Sequence, residues 1–408
     1  MSSKLLLLNK VYKRSIIAEF VWECNGIKMT KKRAIFEEVS ASKQEKTVSS
    51  VGVIERNSQE NNRWAVQIWL KILFSIVVVM ILVGGLTRLT DSGLSITEWR
   101  PITGALPPFS SENWLLEFEK YKQIPEYELQ NKGMSLSQFK FIYWWEWGHR
   151  QLGRVIGLVW LIGFITFFAL RKIPNGWTGS LLFVGILGGL QGAVGWWMVS
   201  SGLTGTMLDV ASYRLATHLG LAFVILGYLT WFILLLGRSE KILLQSRRNM
   251  DPKFVSLSTG LLHLTFLQLL VGALVAGIDA GRNYVDWPLM AGGFLPPDPF
   301  ELSPWWRNFF EDDGLVQFMH RMIGYTLFLF CLFAWRGSRS SGNLTLKFSF
   351  NLILAIAFFQ MVLGIATVMY AAPWVIAIFH QFGAILLWVF VLRARFFTKY
   401  PPSTIITS

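Results

Sequence analysis

Two cysteines in 408 residues leave little for sulfur to do. Cys24 lies near the N-terminus and Cys331 inside an apolar block, so a structural disulfide is not expected, and no cysteine-based metal spacing exists. Charge is also scarce, at 15% of residues against 53% hydrophobic. Acids are scarcer than bases, 25 against 38, for a formal net charge of +13. No basic patch with interleaved aromatics accompanies that excess, which excludes a nucleic-acid partner. Histidine is rare too, at His149, His218, His263, His320 and His380.

What is abundant is apolar sequence in blocks of about 20 residues, enough to cross a hydrocarbon core of roughly 30 Å. Eight such blocks fall at about 66–86, 149–170, 180–200, 213–236, 255–278, 316–335, 348–370 and 373–393. The connecting segments alternate in charge. The stretch up to Arg63, Arg171-Lys172, Arg238 to Lys253, Arg336 to Lys347 and Arg393 to Lys399 are basic. Asp91 to Glu146 and Asp279 to Asp313 are neutral or acidic on balance. The positive-inside rule then puts both termini on the cytoplasmic or matrix side. The opening "MSSKLLLLNKVYKRSIIAEF" is basic and nearly free of acids, which suits a mitochondrial presequence and an inner-membrane location.

The chain repeats itself. "VGGLTRLTDSGLSITEW" at 83–99 is echoed by "VGALVAGIDAGRNYVDW" at 271–287, matching Gly84 with Gly272 and Asp91 with Asp279. "HRQLGR" from His149 is echoed by "HRMIGY" from His320, Gln191 and Gly195 by Gln360 and Gly364, and His218 by His380. Each half holds four crossings, an even number, so both halves run through the membrane in the same direction. The expected fold is an all-α polytopic membrane protein, its eight transmembrane helices forming two four-helix bundles related by a pseudo-twofold along the membrane normal. The expected organisation is a basic extension over 1–63, an N-terminal bundle over 64–236, an inner linker over 237–253, a C-terminal bundle over 254–396 and a tail over 397–408.

Four of the five histidines are repeat mates, all toward the outer ends of their helices. Each half offers two imidazoles from two helices at one depth, which is what a bis-histidine heme needs. Four residues after them stand Gly153, Ala222, Gly324 and Ala384, small neighbours that leave room for a flat macrocycle. His263 is followed by Leu267 at that spacing and is not expected to be a ligand. The halves then differ. Glu146 stands three residues before His149, where Gln317 precedes His320. A carboxylate at that spacing shares the ligand's helix face and can move protons, so the N-terminal half is expected to do chemistry. Arg150 and Arg321, next to the histidines, suit heme propionates or interface anchoring equally. Arg88, matched by Ala276, belongs to the first half alone and is a candidate substrate contact.

These residues resemble the heme A synthases, the assembly enzymes of cytochrome c oxidase, and the mitochondrial and alphaproteobacterial type in particular. The resemblance rests on "GGLTRLTDSGLSITEWRPITGALPP", "FKFIYWWEWGHRQLGRVIG", "LQGAVGWWMVSSGL", "YRLATHLG", "VQFMHRMIGY" and "IFHQFGA", and covers about residues 64 to 393. It implies oxidation of a ring methyl of heme O to a formyl group. By the same resemblance His320 and His380 hold a resident heme b, with Arg321 beside it. His149 and His218 flank the heme O substrate, with Arg150 and Arg88 as further contacts, and Glu146 is the key acid. The implied partners are a ferredoxin electron donor, membrane lipid and an upstream heme O synthase; a homo-oligomer is compatible with the sequence. Cysteine pairs present in some bacterial members are missing here, so no cysteine-dependent step carries over. The alternatives are a diheme cytochrome that only transfers electrons, and a repeat-built transporter using the histidines as proton relays.

Overall fold

The computed structural model describes residues 50–205 and 209–402, with side chains from residue 60 onward. The presequence expected in the first segment lies outside the described residues. Among the described residues the only β feature is an isolated bridge between Met290 and Gly293; the rest of the regular structure is helical.

In chain order the helices are α1 (Ser50–Leu89), α2 (Ser111–Tyr121), α3 (Pro125–Leu129), α4 (Leu136–Ala169), α5 (Thr178–Val199), α6 (Ser212–Leu236) and α7 (Glu240–Arg248), then α8 (Pro252–Gly277), α9 (Asn308–Glu311), α10 (Asp313–Ser338), α11 (Leu344–Met369) and α12 (Trp374–Lys399). Eight of these, α1, α4, α5, α6, α8, α10, α11 and α12, are long and apolar enough to cross a membrane. Only a helix that satisfies its own backbone hydrogen bonds can do so in lipid. The ends follow local chemistry. Asp251 caps α8 just before Pro252, while Asp312 and Asn343 cap α10 and α11 through side-chain oxygens.

Six spans begin and end within about six residues of the sequence reading. The exceptions are α1, expected from about residue 66 but running from Ser50, and α4, expected to begin near His149 but running from Leu136. Ser135 starts it with a capping box shared with Gln138. The added turns stay helical because Phe139, Ile142 and Tyr143 pack on Trp114, Phe118 and Tyr121 of the first outer loop. His149 therefore sits inside a continuous helix. The first outer loop thus carries two helices of its own, packed against the outer extension of α4, while the second outer loop holds the four-residue α9, a 3-10 turn at Trp305–Arg307 and the Met290–Gly293 bridge.

The repeated segments at 83–99 and 271–287 are helix exits of one design. Asp91 and Asp279 adopt left-handed φ values of 49° and 52°. The next residues, Ser92 and Ala280, donate back to Thr87 and Val275 carbonyls at 2.9 and 3.1 Å. Aspartate tolerates this conformation better than most residues, and the turn satisfies carbonyls at the helix end.

α1, α5, α6 and α12 enclose one core, around Leu70, Phe223 and Leu226, and α8, α10, α11 and α12 enclose another, around Leu261, Phe350 and Val391. Polar ties cross between the halves inside the membrane region. Trp388 Nε1 donates to the Phe223 carbonyl at 2.9 Å, and Gln381 Nε2 to the Ile81 carbonyl at 2.7 Å. Large apolar side chains such as Leu158, Ile162 and Phe333 remain exposed, as a lipid-facing surface requires.

Candidate heme sites

Each of the four paired histidines rests against a glycine of a neighbouring helix. A Cβ built on Gly84 would lie 2.8 Å from His149 Cε1, and on Gly195 2.9 Å from His218 Cε1. On Gly272 it would lie 2.9 Å from His320 Cε1, and on Gly364 3.1 Å from His380 Cε1. Gly84 and Gly272 are repeat mates, as are Gly195 and Gly364. The imidazoles use the space of a missing side chain to settle edge-on against backbone, so the ring orientation is fixed from the glycine side.

His320 on α10 and His380 on α12 face each other with ring centroids 6.4 Å apart. Two imidazoles on opposite faces of one metal, each at a metal–nitrogen bond of about 2 Å, place their centroids about 6 Å apart. In the other half, His149 and His218 are within electrostatic reach of each other. The Nδ1 atoms of His149, His320 and His380 are buried without a hydrogen-bond partner among the described residues. Orphaned nitrogens of this kind are rare in finished cores and call for a missing partner. No cluster of three or more His, Cys, Asp or Glu among the described residues is arranged for a bare metal ion. Two imidazoles per site suit a metal whose other ligands come from a macrocycle. His263 stands apart, exposed on α8.

Glu146 is 3% exposed and fully engaged. Its Oε2 accepts from Ser95 Oγ at 2.7 Å and Ile96 N at 2.8 Å. Its Oε1 accepts from Arg150 Nε at 3.0 Å and Nη2 at 2.6 Å. In the other half Gln317 accepts from Arg321 Nη2 at 2.6 Å and donates to the Ala280 carbonyl at 2.6 Å. One scaffold thus carries an ion pair in the first half and a neutral amide in the second.

Arg150 donates to the carbonyls of Ile96 and Glu98 at 2.8 and 3.1 Å. Arg321 donates to those of Tyr284 and Asp286 at 3.1 and 3.0 Å. These four acceptors are repeat mates, so both arginines staple an outer loop to the helix bearing the histidine. Arg88 stands one turn beyond Gly84 on α1, the helix that carries the glycine against His149. Its guanidinium pairs with Asp91 at 3.0 Å, Asp279 at 2.9 Å and Asp209 at 3.2 Å, and donates to the Ala276 carbonyl at 3.0 Å. It joins the two repeated helix exits and makes no hydrogen bond to the histidine pair near Glu146.

Above this half the first outer loop buries a second carboxyl. Glu126 is 3% exposed, with Oε2 unpartnered. Its pKa is pushed up to about 8, first by burial and then by Asp209, Glu146 and Asp91. A polar cavity of about 220 Å³ opens nearby, lined by Glu98, Arg100, Glu117, Tyr143, Arg150 and Arg154 among others.

A family model described as "Cytochrome oxidase assembly protein" matches residues 67–392. The "Heme A synthase" of Dinoroseobacter shibae is 62% identical over 376 residues, covering 92% of this chain and 98% of that protein. Those of Ruegeria sp. (strain TM1040) and Paracoccus denitrificans are 60% and 51% identical, over 91% of this chain and 98% of each relative. The chain belongs to the heme A synthase family. Membership implies a part for heme, and the glycine cradles, the 6.4 Å spacing and the orphaned nitrogens of the paired histidines would fit one.

The small residues four positions after each histidine do not all face open space. Met80 Cε would be 3.4 Å from a Cβ on Gly153, and Gln268 Nε2 3.1 Å from one on Gly324. The glycines opposite the histidines are functional positions that the spacing of the histidines does not reveal, and their repetition in the sequence is the available signal.

Proposed function

We propose that the chain oxidises a ring methyl of heme O to a formyl group, by successive hydroxylations and loss of water, in the half that carries Glu146, and that a heme b held by His320 and His380 would pass electrons between the donor and that half. The observation that carries this division is the replacement of the Glu146–Arg150 ion pair by Gln317–Arg321 on an otherwise repeated scaffold. Heme b supplies one-electron redox chemistry when bound. The chain's own residues supply the rest. Gly84 and Gly195 orient the His149 and His218 rings, and Glu146, three residues before His149 on the same helix, supplies a carboxylate that moves protons during the reaction. Arg150 and the Ser95 and Ile96 donors hold that carboxylate in one position. Arg150 lines the outer polar cavity, which gives the ion pair a route to water. Arg150 and Arg321 act on the two heme sites by fixing the loops above them.

The repeated contacts support a pseudo-twofold relation between the halves. The basic segments between spans support termini on the inner side, which also faces a soluble acidic electron carrier such as a ferredoxin. The relatives named above are bacterial, and a bacterial inner membrane obeys the same charge rule as a mitochondrial one.

Hemes extracted from cells lacking the chain, and from the same cells expressing it, test the reading by chromatography. The expected result is heme A only when the chain is present. A purified chain that holds two permanent hemes b and never yields heme A would support a simple electron carrier instead.

A further inference from the structure

Three of the four histidine-bearing helices are tied to a neighbour by a glutamine amide at the histidine itself. Gln191 of α5 donates to the His218 carbonyl at 3.0 Å, Gln268 of α8 to the His320 carbonyl at 3.1 Å, and Gln360 of α11 to the His380 carbonyl at 2.9 Å. The fourth helix, α4, lacks this tie. Met80 of α1 stands where Gln268 stands on α8, each three residues before the matched Val83 and Val271. The two side chains occupy the same place, against Gly153 and Gly324 respectively. A thioether cannot donate a hydrogen bond, so nothing replaces the missing amide at His149.

Two more differences fall on the same seam. Eight residues after His149 stands Gly157, and eight after His320 stands Phe328. Phe328 packs on the C-terminal core and pairs with Phe358 of α11 at 6.4 Å, whereas a Cβ on Gly157 would meet open space. The most apolar stretch of α4 contains no buried residue, while a third of that of α10 is buried. α1 itself is held, by Gln381 of α12. α4 is pinned to α1 toward the inner side, where Trp69 Nε1 donates to the Val159 carbonyl at 3.0 Å. Arg150 and Arg154 fix it to the outer loop. Between these pins α4 meets α1 through Met80 against Gly153 and through the His149 ring against Gly84, van der Waals contacts without a hydrogen bond, and Gly157 beyond them meets nothing within 4 Å.

We infer that the α1–α4 seam at Met80, Gly153 and Gly157 is the lateral opening through which the prenylated macrocycle passes between the bilayer and its site. The inference rests on the assignment of His149 and His218 to the substrate heme. A substrate must be exchanged at every turnover and a resident heme must not, and the one missing amide tie falls in the substrate half, which keeps a single tie at His218 while the other half has two. Gly157, open toward lipid where the other half is filled by a phenyl ring, leaves room for a hydrocarbon tail.

The test uses the full chain in lipid nanodiscs, loaded with heme O. Met80→Gln restores the fourth tie. It should slow both heme O release and hydrogen exchange in residues 149–158 by about fivefold, the factor that one net hydrogen bond contributes. Gln268→Met should loosen the other half and lose its heme during purification. Gly157→Phe should admit heme b to this site but exclude heme O. Wild-type release and exchange rates in Met80→Gln, with the His320–His380 heme retained as a sign of folding, would overturn the seam. Unimpeded heme O loading of Gly157→Phe would overturn it independently. A wild-type chain that takes up no heme O would instead overturn the site assignment beneath it.

Discussion

Gly272→Ala is the sharpest perturbation of a single heme site. The added methyl carbon would lie 2.9 Å from His320 Cε1. Ordinary carbon–carbon contact begins near 3.5 Å, so the ring must retreat by about 0.5 Å. Retreat displaces the imidazole from the position in which its centroid lies 6.4 Å from that of His380, a spacing already matched to one metal between two imidazoles. Overpacking of this kind costs about 1–3 kcal/mol, or roughly 5- to 150-fold in heme retention. Helix propensity acts in the opposite direction, since alanine in a helix interior is favoured over glycine by about 1 kcal/mol. The variant should therefore keep its thermal stability without heme while losing the resident heme. The assay is the ratio of heme to protein after purification, with thermal unfolding of the apoprotein beside it. Gly189→Ala, where a Cβ meets nothing within 4 Å, is the control and should retain heme. Full heme retention in Gly272→Ala would refute the argument that the glycine cradle sets the ring position.

Other outcomes follow from the same contacts. Gly84→Ala, with 2.8 Å to His149, should impair heme O binding and leave the His320–His380 heme in place, read by the extracted heme composition. Arg88→Ala leaves Asp91, Asp209 and Asp279 facing one another. It should cost about 2 kcal/mol, below the roughly 3–5 kcal/mol of a fully buried pair because the aspartates are a third or more exposed, with partial rescue by Arg88→Lys in thermal melts. Glu126 has a folded pKa of about 8, above its ordinary value, so the folded state holds a proton that the unfolded state releases. The stability of the outer loop should be full below about pH 4.5 and fall as pH rises toward 8. Glu126→Gln should flatten that dependence, measured by hydrogen exchange of α2 and α3 across the range.

Much of the architecture is legible in the sequence because lipid imposes a length and a polarity on each span, and the eight blocks meet both conditions. The repeat exposed the paired histidines and the Glu146/Gln317 difference, since both lie at fixed offsets along one helix. What escaped involves contacts between helices. Gly84 and Gly272 were visible as matched residues, but nothing in their spacing says that a histidine from another helix rests on each. Met80 and Gln268 disagree within a well-matched segment, and only the structure shows that the disagreement removes a tie at His149. Arg150 and Arg321 looked equally suited to propionates, because a guanidinium beside a ligand reads the same whether its acceptors are carboxylates or loop carbonyls. The outer part of α4 was missed because Leu136 to Gly148 is too polar for a span and is held helical by the loop that folds over it.

The central claim is that the two halves bind alike and only the one with the acid reacts. It is tested most directly by the hemes extracted from Glu146→Gln, in cells that depend on this chain for heme A. The account predicts a folded protein that keeps its His320–His380 heme and accumulates heme O, with heme A absent. Heme A at the wild-type level from that variant would contradict it.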